Sequence, residues 1–183
     1  MFETEAFIAD CRAAFRQEAG PRAVREVVAR AASDPAAILH ALGEPRRAGV
    51  DVLYAGDDIT ILNLAWGADM HVSPHDHRTW AVIGIYSGRE DNIFWRRRPD
   101  GRVEAAGARS LATGDAFPMG QDIIHSVLNP LSRLTGAIHI YGGDFLHAPR
   151  SSWDAETLME GPYDTTRVGE AFEEANRRMG IVR

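Results

Sequence analysis

Two different hydrophobic periods divide this chain near residue 49. Before that point apolar residues recur three and four apart: Ile8, Cys11 and Phe15, then Val24, Val27, Val28 and Ala31. This spacing places each set on one face of a helix, and three helices are expected over residues 1–43. Thr4 can cap the first, which should end at Gly20-Pro21, and the second starts near Arg22. The third has Asp34 as N-cap, Pro35 in its first turn and Gly43 as its stop. Together they read as a cover packed on something else.

After Gly49 the runs become short and β-rich. DVLYAG and ITILNLAWG form a hairpin pattern around Asp57-Asp58. MHVSPHDH, TWAVIGIYSG and NIFWRRR follow, then a turn at Pro99-Asp100-Gly101, RVEAAGARSL, GDAFPMG, DIIHSVLN and RLTGAIHIYGGDF. About nine short strands at such close spacing point to an antiparallel sandwich or barrel rather than βαβ units. A last helix is expected over roughly residues 165–179, after the loop WDAETLMEGPYD. The expected organisation is one domain, with helices over 1–43, a β core over 50–147, and a loop and helix over 148–183.

Composition narrows the function classes. A net charge of −6 and a pI near 5.6 argue against nucleic-acid or anionic-membrane partners. The arginines of WRRRPDGR flank the Pro-Asp-Gly turn and read as a solvated hairpin tip. A single cysteine, Cys11, excludes an internal disulfide and a cysteine zinc cluster, and fits a reducing cytoplasm. The acidic N-terminus does not read as a signal peptide, and no apolar run approaches the ~18 residues of a membrane span.

The chemistry centres on His75 and His77. On an extended strand residues i and i+2 share a face, so both can reach one metal ion while Asp76 points elsewhere. Two histidines alone make a weak site, and the chain must supply a third ligand. The cupin pattern points to it. Gly67, His75, His77 and Gly88 resemble the first cupin motif, with Val82 at the place of its glutamate. Gly114, Pro118, Gly120, His125 and Asn129 resemble the second. In a cupin jelly roll these motifs lie on facing strands, which implies that His125 joins the metal opposite the pair. Three neutral imidazoles leave a divalent ion its full charge and up to three open positions. Such a site favours an anionic, chelating substrate, and a thiolate with a carboxylate or amine suits Fe(II).

LAWGADMHVSPHDHRTWAVIG, HSVLN, AIHIYGGDF and the tail PRSSWDAETLMEGPYD carry a closer resemblance. Over roughly residues 50–165 they resemble the cupin thiol dioxygenases, nearer to the bacterial 3-mercaptopropionate type than to mammalian cysteine dioxygenase. The resemblance implies Fe(II) held by His75, His77 and His125, with O2 as co-substrate and a small thiol as substrate. It implies His139 and Tyr141 as the last two members of a Ser-x-His-x-Tyr hydrogen-bonded triad, with Ala137 in place of the serine. Arg150 matches the arginine that holds the substrate carboxylate. The cysteine–tyrosine cross-link of the mammalian enzyme cannot form, because Val82 stands at the cysteine's place. Arg46 and Arg47 lie near the family's upstream specificity residue.

Plainer roles stand beside these. Tyr141 can be a core tyrosine, Arg150 one half of a surface ion pair, Trp80 core rather than pocket wall, and His71 structural. Asp115 and Asp144 follow glycines and read as turn residues. A three-histidine site can also hold zinc or nickel for hydrolase, lyase or isomerase chemistry, and the pocket could serve a non-enzymatic binding module.

Overall fold

The computed structural model describes residues 1–17 and 20–181. Helices α1 (Thr4–Gln17), α2 (Pro21–Ala32) and α3 (Pro35–Leu42) come first. Thr4 is the first residue of α1 rather than its cap; the residues just before the expected end at Gly20-Pro21 lie outside the described ones, and α2 starts at Pro21. The Asp34 carboxylate accepts from the Ala37 N–H and caps α3, and Gly43 ends that helix at φ 81°, where glycine is unstrained.

Eleven strands follow among the described residues: β1 (Gly49–Ala55), β2 (Ile59–Trp66), β3 (His71–Asp76), β4 (Ala81–Ser87), β5 (Arg89–Arg97), β6 (Val103–Ala112), β7 (Ala116–Met119), β8 (Ile124–Leu128), β9 (Thr135–Gly142), β10 (Ser151–Trp153) and β11 (Glu160–Pro162). Helix α4 (Thr165–Arg178) closes the chain. The last two strands are additional to the expected set. They have three residues each, too few to show alternation in the sequence, yet Ser152 pairs with His75 and draws the tail against the β core.

Every strand pairing is antiparallel. One sheet has the order β1-β2-β9-β4-β7, the other β11-β10-β3-β8-β5-β6. Early and late strands therefore interleave in each sheet. This is the expected mainly-β, double-stranded β-helix architecture, with helices at both ends.

Apart from its exposed edge strand β1, the first sheet is largely buried on both faces, which its sequence shows as period-two alternation between two cores. Ile59, Ile61, Val82, Ile138 and Ile140 face the helical cover, against Val24, Val27 and Val28. Leu62, Leu64, Ile83, Ile85 and Ala137 face inward, with Val72 and Val127 of the second sheet and Phe172 and Ala175 of α4. Gly84 permits the close approach of α2, since a Cβ there would lie 2.4 Å from Val28 Cγ1. Trp80 packs in the outer core, its ring 5.8 Å from that of Phe15, and is a core residue. No helix among the described residues is long and apolar enough to cross a membrane.

Asn176 fastens α4 to the rest. Its Oδ1 accepts from the Ala48 N–H at 2.8 Å and its Nδ2 donates to the Ala48 carbonyl at 3.0 Å, all buried. Truncating it strands two backbone groups. Asn176→Ala should cost about 2–4 kcal/mol, seen as a lower urea midpoint at unchanged slope. A loss under about 0.5 kcal/mol would contradict this role.

Candidate metal centre

Strand register brings the three predicted ligands together. His75 on β3 is the direct antiparallel partner of His125 on β8, and His77 follows just past the end of β3. His125 thus comes from the neighbouring strand of the same sheet, not from a facing one as expected. Motif spacing places it in the site but not in a sheet. One nitrogen from each ring lies within 4.8 Å of the others, and all three side chains are buried. Asp76 points elsewhere, as the alternation requires: it accepts from the Ser151 N–H at 2.7 Å and pairs with Arg78 and Arg97.

The outer edges of two rings are anchored. His75 Nδ1 donates to the Ser73 carbonyl at 3.0 Å, and His125 Nδ1 donates to Asn92 Oδ1 at 2.7 Å. Each bond fixes the tautomer and turns Nε2, with its lone pair, inward. The Nε2 atoms of His77 and His125 lie 3.0 Å apart. Burial depresses the pKa of His75 to about 4 and those of His77 and His125 well below the ordinary value. Neutral rings with convergent lone pairs are the form a metal ion binds. The set fits a divalent metal.

A buried carboxylate missed by the sequence reading organises what surrounds these ligands. Glu90 on β5 is fully buried. One of its oxygens accepts from Trp66 Nε1 at 2.6 Å and from His139 Nε2 at 3.2 Å, the other from Asn92 Nδ2 at 3.0 Å. Burial by itself would raise its pKa; the adjacent His139 and the donated N–H bonds hold it below the usual range. A carboxylate only accepts, so His139 Nε2 carries a proton and Nδ1 faces the Tyr141 hydroxyl at 3.0 Å. The result is one continuous chain, Tyr141–His139–Glu90–Asn92–His125. Ala137 offers no hydroxyl to His139, and Glu90 orients that ring. The signal for it was present: Glu90 and Asn92 are two polar residues at positions of one strand that share a face.

A cavity of about 390 Å³ opens onto the three histidines. Tyr141 lines it, stacked on Phe145 with ring centroids 3.6 Å apart, and burial keeps its phenol protonated. Arg150 lines it too, its guanidinium 3.9 Å from the Phe145 ring and 4.3 Å from that of Tyr163. Its Nε is buried and unpartnered, so the surface ion-pair role does not apply. Arg47 reaches the rim, ion-paired with Glu173, whereas Arg46 lies along a separate depression.

Val82 corrects the sequence reading by one position. It sits in the outer core, while Ala81 and Ile83 point to the inner one. Arg78, at φ 52°, lies between His77 and β4, and counting residues across such a bend does not preserve strand parity. The inward residues are apolar as well, and the site remains three-histidine. His71 is exposed at the far end of β3, Asp115 caps its turn by accepting from the Ala112 N–H, and exposed Asp144 pairs with His147.

No protein-family model matches this chain. Its two-sheet fold is similar to several solved structures. One is a double-stranded β-helix protein from Klebsiella pneumoniae, 11% identical over 60% of this chain and 81% of that one, TM-score 0.47. A cupin from Methanocaldococcus jannaschii is 11% identical over 57% and 90%, TM-score 0.47. A DMSP lyase from Ruegeria pomeroyi is 18% identical over 57% and 50%, TM-score 0.45. Of these three, one is described as a cupin, one by its double-stranded β-helix domain and one as a lyase. The likeness is one of sheet architecture, and the chemistry is read from this chain's own residues.

The network makes a sharp prediction. In Glu90→Gln the amide N–H2 must face a donor, whether Asn92, His139 or Trp66. The conflict passes through Asn92 to the His125 tautomer. Metal affinity should fall about 10–100-fold although Glu90 touches no ligand atom, as read by competition with a chelator. An unchanged affinity would refute the coupling.

Proposed function

We propose that this protein is an iron-dependent thiol dioxygenase, oxidising a small thiol carboxylate of the 3-mercaptopropionate or cysteine type to its sulfinate. The carrying observation is Arg150, a guanidinium without an acid partner, held between two aromatic rings in the cavity of the three histidines. A cation so placed calls for an anionic ligand, and its planar fork suits a carboxylate. The sequence resemblance at His75, His77, His125, His139 and Tyr141 supports the oxygen chemistry.

In this reading His75, His77 and His125 hold Fe(II), which when bound supplies a seat for the thiolate and the one-electron chemistry that O2 requires. The overall reaction balances without a further reductant: a thiolate and one O2 give a sulfinate, sulfur losing four electrons and O2 gaining four. Arg150 clamps the carboxylate and fixes which way the sulfur points. Tyr141 presents a protonated phenol whose orientation is set by His139 and, through it, by Glu90. Nδ1 of His139 lies 3.0 Å from the Tyr141 hydroxyl and holds it in place. The apolar walls exclude water and strengthen the ion pair at Arg150. Cys11 takes no part: it is buried in the helical cover, where burial pushes its thiol to about 12. A reducing, cytoplasmic setting suits both Fe(II) and a free thiol substrate.

Iron-reconstituted protein should consume O2 when given 3-mercaptopropionate, cysteine or a related thiol acid, and His125→Ala should abolish this. Arg150→Leu should raise KM roughly 10–100-fold, the worth of a charge-assisted hydrogen-bonded pair. No O2 uptake across such a panel with iron confirmed in the site would overturn the proposal. So would full zinc occupancy with no iron in protein purified without added metal.

A further inference from the structure

The cavity is large and apolar for the ligand that its polar groups would hold. About 390 Å³ lies in the range that takes drug-sized molecules, whereas a three-carbon mercapto acid has only a handful of non-hydrogen atoms. The polar contacts for such an acid are concentrated in one place. The two rings that hold the Arg150 guanidinium also face the histidines, Tyr163 with its ring centroid 5.5 Å from that of His75 and Phe145 5.5 Å from that of His77, so a carboxylate on Arg150 and a sulfur at the histidines use the same end of the chamber. Much of the remaining wall is apolar: Leu62 and Leu64 from one sheet, Val72 and Val127 from the other, Val168 and Phe172 from α4, with the hydroxyl of Thr165 among them. Water left against such walls is poorly satisfied, and an apolar group that displaces it gains affinity.

The charges around the cavity argue further against a free amino acid. Among the described lining residues the one carboxylate is Glu173, which sits at the rim in its ion pair with Arg47. Glu90 is committed to Trp66, His139 and Asn92 and does not line the cavity. An α-ammonium beside the bound carboxylate would therefore be desolvated without an acid to receive it.

We propose that the physiological substrate is a mercaptocarboxylate carrying an apolar substituent, aliphatic or aromatic, of about four to seven carbons and no free amine. This class rests on the dioxygenase reading for its chemistry but on the cavity for its shape. The thiolate and carboxylate occupy the histidine and Arg150 end, and the substituent fills the space between the two sheets and α4.

The test compares 3-mercaptopropionate, 2-benzyl-3-mercaptopropionate and cysteine on the full-length protein. Two readouts are used: O2 consumption by the iron-loaded form, and calorimetric binding to the zinc-loaded form, which does not depend on turnover. The benzyl acid should show a KM and a Kd at least about tenfold lower than 3-mercaptopropionate, with cysteine weakest. Gly169→Leu supplies the control in the cavity wall. Gly169 lines the chamber on α4, a Cβ there meets nothing within 4 Å, and leucine favours a helix more than glycine does. This variant should weaken the benzyl acid roughly tenfold relative to 3-mercaptopropionate. Turnover of 3-mercaptopropionate with no preference for the benzyl acid would overturn the substrate class and leave the dioxygenase reading standing. Tight benzyl-acid binding to the zinc form, without O2 uptake by the iron form for any thiol, would keep the class and overturn the dioxygenase. Cysteine binding tightest, or Gly169→Leu weakening both acids equally, would overturn the class.

Discussion

Burying a carboxylate costs several kcal/mol unless donors replace its water, and Glu90 is buried completely. Its three donors come from β2, β5 and β9, so the charge is stable only when strands of both sheets are in place. Around it the orientation of every polar group follows. Asn92 must turn its amide N–H toward Glu90 and its oxygen toward His125; His139 must present Nε2 to Glu90 and Nδ1 to Tyr141. One ion thus fixes a metal ligand on one side and the phenol on the other. It couples two parts of the site that touch different elements.

Leu62, Leu64, Val72, Val127 and Phe172 make most of the chamber wall apolar, and that contrast gives the chamber its character. The five-stranded sheet spends its outward residues on the helical cover and its inward residues on the cavity. Consequently α1 to α3 stabilise the scaffold without reaching the site. Helix α4 does the opposite. Asn176 ties it to Ala48, and Phe172 and Gly169 then close the chamber over the histidines. Arg150 completes the floor through β10, whose pairing with β3 holds the tail beside His75. The cation is kept in place by ring stacking rather than by an acid, which preserves its charge for a ligand.

Much of this was legible in the chain. Helical spacing gave α1 to α3, the Asp34–Gly43 pair bounded α3, and period-two runs gave the β core. His75 and His77 followed from their spacing on one strand, and His125, His139 and Tyr141 from the resemblance to known motifs. The short strands β10 and β11 were not legible, because three residues carry no period. Glu90 lies between Arg89 and Asp91, and only the sheet shows that it faces inward while Arg89 and Asp91 pair with each other outside.

Local physics therefore determined the element types, the polar and apolar faces, and the same-face pair His75 and His77, since these depend on neighbours a few positions apart. Tertiary structure decided the relations between distant segments. It made His125 the neighbour of His75 within one sheet, turned Val82 away from the site across the bend at Arg78, and brought Glu90 against His139. Those outcomes depend on strand register and sheet order, which are set by global packing and not by any local stretch of sequence.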